Sequence, residues 1–75
     1  MPKLSPIPAN KLIRLLEKLG FYKVRQKGSH VRMEHADGMK TSIPVHAGEN
    51  VGVGLLRKIL RDTNISRSEF EKMKK

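Results

Sequence analysis

From residue 9 onward the apolar positions fall at helical spacing. Leu12, Ile13, Leu15, Leu16 and Leu19 form one stripe, while Asn10, Lys11, Arg14, Glu17 and Lys18 take the opposite side. This pattern predicts a helix over 9–19. Gly20 suits the left-handed position that ends such a helix, and no Ser or Thr caps its start. Residues 1–8 hold three of the four prolines and read as an extended segment.

The period then drops to two. Over 21–26, Tyr22 and Val24 alternate with Lys23 and Arg25, which predicts a strand. Lys27-Gly28-Ser29 reads as a turn. A second strand over 30–35 places Val31 and Met33 on one face and His30, Arg32 and Glu34 on the other. Asp37-Gly38 signals a hairpin, and packing decides its loop length. A loop of Asp37 and Gly38 alone would set Val31 against Pro44 and Arg32 against Ile43, mixing apolar and polar groups on both faces. Adding Ala36 to the loop pairs Val31 with Ile43 and Met33 with Thr41 on the inner face. It pairs Glu34 with Lys40 and Arg32 with Ser42 on the outer one. The second register is the consistent one. It predicts a third strand over 39–45, with Pro44 near a sheet edge or a bulge.

A glycine-bearing loop over 47–53 leads into a second helical stripe over 54–63. Leu55, Leu56, Ile59 and Leu60 face inward there, and Arg57, Lys58 and Arg61 outward. Ser66 and Glu69 have capping-box spacing, with Ile65 and Phe70 at the staple positions, so a short helix closes the chain over 66–74. The expected fold is α+β, in the order α-β-β-β-α plus a terminal helical turn, as one domain over 1–75. Two amphipathic helices cover one face of a three-stranded antiparallel sheet. The other face stays wet and carries His30, Arg32 and Lys40.

Composition narrows the function. Sixteen Lys and Arg against seven Asp and Glu give a net charge of +9 on 75 residues. That favours a polyanionic partner, nucleic acid first. There is no cysteine, which excludes disulfides, thiolate metal sites and a Cys nucleophile. No apolar run approaches the ~20 residues of a membrane span, and no apolar leader opens the chain. The expectation is a soluble, cytoplasmic chain with no membrane partner. Aromatic residues make up only 4%, so phosphate contact and shape should outweigh base stacking.

Histidine is the side chain that titrates near neutrality without help. His30 and His35 point to opposite strand faces and no carboxylate cluster supports either, so no metal site is expected. His30 opens a strand on the wet face, after two small residues and among cations. RNA carries its own nucleophile, the 2′-OH, so such a protein need only move protons and hold the phosphate. The residues alone leave two readings open: a proton-transfer catalyst, or a surface imidazole without a task. His46, diagonal to His30 in the chosen register, is an assisting acid–base candidate or a loop hydrogen-bonding group. His35 belongs on the helix-covered face near Thr41 as a structural residue. Ser29 cannot form a triad with its own neighbour; it suits a turn bond or a phosphate contact.

Four stretches resemble the HicA toxin family of small bacterial and archaeal mRNA interferases. They are Leu19-Gly20-Phe21, Arg25-Gln26-Lys27-Gly28-Ser29-His30, Pro44-Val45-His46, and Gly54-Leu55-Leu56-Arg57-Lys58-Ile59-Leu60. The likeness runs over about residues 8–70. It implies a fold like the double-stranded-RNA-binding domain. It also implies the toxin role of a type II toxin–antitoxin system, active in stress response, with a HicB-type antitoxin covering the site. The His of its Gly-Ser-His motif, here His30, would be catalytic, and Gly28 and Ser29 would shape the turn. Leu55 stands where many relatives carry a helix-capping Thr.

Together these readings predict a metal-independent endoribonuclease without cofactor, acting on mRNA. His30 is the acid or base on the 2′-OH or the leaving 5′-oxygen. Lys27, Gly28, Ser29, Arg32 and Lys40 are the RNA-binding candidates, and His46 is the candidate assisting residue. Two rivals stand beside this: a non-catalytic double-stranded-RNA-binding module, and an inactive toxin relative serving as an interaction domain.

Overall fold

The computed structural model describes residues 4–45 and 50–74. Eight elements follow in order: β1 (Ile7–Pro8), α1 (Ala9–Lys18), β2 (Tyr22–Lys27), β3 (His30–Glu34), β4 (Lys40–Pro44), β5 (Asn50–Val51), α2 (Val53–Asp62) and α3 (Arg67–Met73). The architecture is α+β, with a three-stranded antiparallel sheet in the order β2-β3-β4.

The apolar stripe of α1 is buried at Leu12, Ile13, Leu15 and Leu16. Leu19 is not part of it: at 36% exposed it is the C-cap, one residue past the helix. Gly20 follows with φ +97°. Its N–H donates to Glu17 O at 3.1 Å, and the Phe21 N–H donates to Leu16 O at 3.1 Å. These are the two bonds of a Schellman ending. Asn64, with φ +56°, ends α2 in the same way, its N–H on Arg61 O and the Ile65 N–H on Leu60 O.

The β3–β4 register is the one packing selects. Val31 lies opposite Ile43, Arg32 opposite Ser42, Met33 opposite Thr41 and Glu34 opposite Lys40. Gly38, φ +96°, occupies the left-handed loop position. Val31, Met33, Thr41 and Ile43 are buried on the inner face. Both long helices pack across β4. Pro44 lies at the end of β4, an edge strand, where its missing N–H costs no ladder bond.

Three features add to the expectations or change them. The described part of the N-terminal segment is extended at Ile7–Pro8 and also pairs, antiparallel with Val51 and Asn50, in a second, two-stranded ladder. Ile7 and Val51 are buried in the core, which is what holds this short pair together. The expected loop over 47–53 is therefore strand at β5. Helix α2 begins at Val53, with Gly52 as its extended N-cap, so Leu55 sits inside the first turn and is no capping position. Finally, β2 has no buried face at all, because its Tyr22 and Val24 are exposed like their neighbours. At the far end Ser66 caps α3, its Oγ accepting from Glu69 N–H at 3.1 Å, and Ile65 and Phe70 are buried as the staple requires.

Candidate nucleic-acid interface

The outer sheet face carries the charged groups. Lys27 pairs with His30 and Arg25 with Arg32 across β2–β3, while His30 pairs with Pro44 and Arg32 with Ser42 across β3–β4. Cross-strand partners share a face. Arg25, Lys27, His30, Arg32 and Ser42 therefore project together, away from the helices. With Gly28 and Ser29 they line an open groove of about 500 Å³.

The backbone around His30 is held from both sides. His30 is the first residue of the central strand, and Gly28-Ser29 is the two-residue turn before it. Gly28 has φ +59° at the first central position of that turn while Ser29 keeps negative φ, the combination of a type II′ hairpin. Gln26 Nε2 donates to Gly28 O at 3.1 Å. The Val45 N–H donates to Ser29 O, tying the turn to the end of β4. The imidazole itself is exposed and has no hydrogen-bond or ion-pair partner among the described residues. Its Cα is fixed and its ring is free to meet a ligand.

Charge in the groove is unbalanced. Arg25 and Arg32 face each other directly, an arrangement that costs stability. The nearby acid is Glu34, whose Oε2 lies 3.6 Å from Arg32 Nε in a half-exposed pair. Such a pair contributes little. An anion bridging the two guanidiniums would relieve the repulsion and be held by planar donor groups suited to phosphate.

Of the residues singled out in the sequence, the groove brings together Lys27, Gly28, Ser29, His30 and Arg32. Lys40 is outside it. It lies opposite Glu34, four residues along β4 from the position facing His30, which is about 13 Å at strand spacing. His46 lies outside the described residues. Arg25, a strand cation leading into the Gly28-Ser29-His30 turn, and Ser42 also line the groove, although neither is among the RNA-binding candidates named from the sequence. The signal for Arg25 was available: counting back from the Gly28-Ser29 turn puts it opposite Arg32. Among the described residues no group of three or more His, Asp or Glu converges as metal ligands would. No helix is long and apolar enough to cross a membrane.

His35 sits elsewhere, where α1 meets β2. Its Nδ1 accepts the Asp37 N–H at 3.0 Å and its Nε2 donates to Leu19 O at 3.1 Å. This pair of bonds requires the neutral ring with the proton on Nε2. The Asp37 carboxylate, 3.5 Å from Nδ1, would count as an ion pair only for the imidazolium, so the amide contact describes the site better. The ring packs on Phe21 at 4.9 Å between centroids. It is a structural histidine, as expected, anchoring the helix end as well as the sheet.

Comparison with known proteins identifies the family. A search of curated proteins gave no match. The family model for the HicA toxin of bacterial toxin–antitoxin systems matches residues 9–65, from the start of α1 to the residue before the α3 cap. That span is more than half of the chain and includes the whole groove, and the chain belongs to the HicA toxin family.

Proposed function

We propose that the protein is an endoribonuclease, the mRNA-cleaving toxin of its toxin–antitoxin pair, with His30 as its proton-transfer group. The observation that carries this reading is the position of His30: an exposed imidazole on a backbone fixed at both neighbours, in an open groove with Arg25, Lys27 and Arg32. RNA brings its own nucleophile. With the phosphate held by Arg25, Arg32 and Lys27, the ribose 2′-OH attacks the adjacent phosphorus and the 5′-oxygen leaves. His30 takes the proton from the first or gives one to the second, a contribution of about 10²–10⁴-fold for one positioned group. The cations stabilise charge developing on the phosphate oxygens. Gly28 keeps the turn low, so a backbone can approach. No step calls for a metal or an organic cofactor. A HicB-type antitoxin is the expected inhibitor, and the cytoplasm, where mRNA is translated, the expected site of action.

The test is cleavage of a defined RNA by purified wild type and His30→Ala, each with chelator. Loss of cleavage with retained RNA binding supports the assignment. Full activity in the variant overturns it, and loss of wild-type activity in chelator returns the chemistry to a metal. Cleavage by neither protein, with steeply salt-dependent binding by both, would make the chain a double-stranded-RNA-binding module.

A further inference from the structure

β2 exposes more than its place in the fold requires. All six residues are exposed, and the strand is bonded on one side only, to β3. Tyr22 and Val24 are 50% and 46% exposed. Between Lys23 and Arg25 the register shifts, leaving Val24 in a bulge. Sheets commonly blunt a bare edge with lysines and bulges, and β2 has both. Blunting does not call for a tyrosine and a valine, whose burial against a partner would be favourable.

Three occupants can be compared by chemistry. A second copy would bring the cations of β2 against those of its twin, between two chains of net charge +9. RNA offers acceptors to the strand's N–H groups but few donors to its carbonyls. A peptide strand satisfies both rows at once, and an acidic one also meets Arg25 and Lys27, which share the outer face.

We propose that an extended acidic segment of the antitoxin adds to β2 as a fourth strand. Its carboxylates meet Arg25 and Lys27 on the outer face, and its apolar side chains cover Tyr22 and Val24. This rests on membership of the toxin family and not on the cleavage chemistry at His30. Arg25 and Lys27 belong to both strand and groove, so the added strand and RNA compete for the same two cations.

The experiment is amide hydrogen exchange on the free toxin and on its complex with the co-expressed acidic protein encoded beside it. Addition to the edge slows exchange at least tenfold at backbone amides within 22–27. Protection confined to residues 28–32, with β2 unchanged, overturns the proposal in favour of a plug in the groove. The double variant Tyr22→Ser/Val24→Ser, folded by its melting curve, should bind the partner about tenfold more weakly and cleave RNA as before. Unchanged affinity also overturns it. His30→Ala should keep full affinity for the partner whether or not it cleaves RNA, which separates failure of this proposal from failure of the nuclease reading.

Discussion

The two described histidines should fail in opposite ways when removed. His35→Ala deletes the Nε2–H bond to Leu19 O and leaves the Asp37 N–H without Nδ1, contacts of 3.1 and 3.0 Å. Each is worth about 0.5–1.5 kcal/mol net. It also removes a ring packed on Phe21, worth about 0.5–1.5 kcal/mol beyond area burial. Both bonds are solvent-accessible, so water recovers part of the loss, and a total of about 2 kcal/mol is expected. In a domain of this size about 4–8 °C accompanies each kcal/mol, so the melting temperature should fall by about 8–16 °C. His30→Ala removes an exposed ring with no partner among the described residues, and should shift stability by no more than about 0.5 kcal/mol. Cleavage reverses the order. His30→Ala should lose about 10²–10⁴-fold, while His35→Ala, assayed well below its transition, keeps wild-type turnover. Calorimetry and a fluorescent RNA substrate on the same preparations decide the matter. An unshifted melt in His35→Ala would refute the packing account, and a comparable destabilisation in His30→Ala would refute the division of labour.

Gly20 and Gly38 share a backbone conformation, φ +97° and +96°, but a methyl at Gly20 would stand 2.9 Å from His35 Nε2 whereas Gly38 has nothing within 4 Å. Both alanine variants should lose about 1–2 kcal/mol to the left-handed backbone, and Gly20→Ala about 1 kcal/mol more by displacing the His35 bond; equal urea midpoints would contradict this. Arg25→Ala should weaken RNA binding similarly across sequences and lower the slope of log affinity against log salt by about 1, measured by titration at several salt concentrations. Ser66→Ala removes the side-chain cap of α3 and should cost about 1 kcal/mol, visible in the melt and absent from the cleavage rate.

The sheet was legible wherever one of its faces is buried. A one-residue slip of β3 on β4 would have turned Val31 and Met33 to water, so the apolar pattern fixed the register and the loop through Gly38. Gly20 and the Ser66 cap were legible because each satisfies orphan backbone groups in a way few residues can. β2 is legible as a strand, but its burial is not. With all six residues exposed, alternation of Tyr22 and Val24 with cations carries no information about burial, and the bulge at Val24 has no signature in one sequence. The β1–β5 pair joins segments more than 40 residues apart through two residues each, too little pattern for any periodicity to show. In the groove, the turn pointed to Lys27, Gly28, Ser29 and His30, and strand parity to Arg32. Lys40 was selected by face alone; distance along the strand, which face does not encode, puts it outside.

The same sheet serves stability and ligand binding with different strands. Inner-face side chains of β3 and β4 are buried beneath the helices, and Thr41 reaches Asp62 of α2 at 3.4 Å, in a cluster that Lys58 joins at 3.1 Å. β2 contributes nothing to that core. It sets instead the Arg25 guanidinium against that of Arg32 on β3, which weakens the sheet, and leaves two apolar side chains in water. A strand kept only for folding would not retain both liabilities. They become reasonable once an anion lies in the groove and a partner strand on the edge, since each ligand removes one of them. A consequence is that replacing Arg25 with a neutral residue should leave the free protein at least as stable as the wild type while weakening its hold on RNA, a pairing of outcomes that purely structural cations would not give.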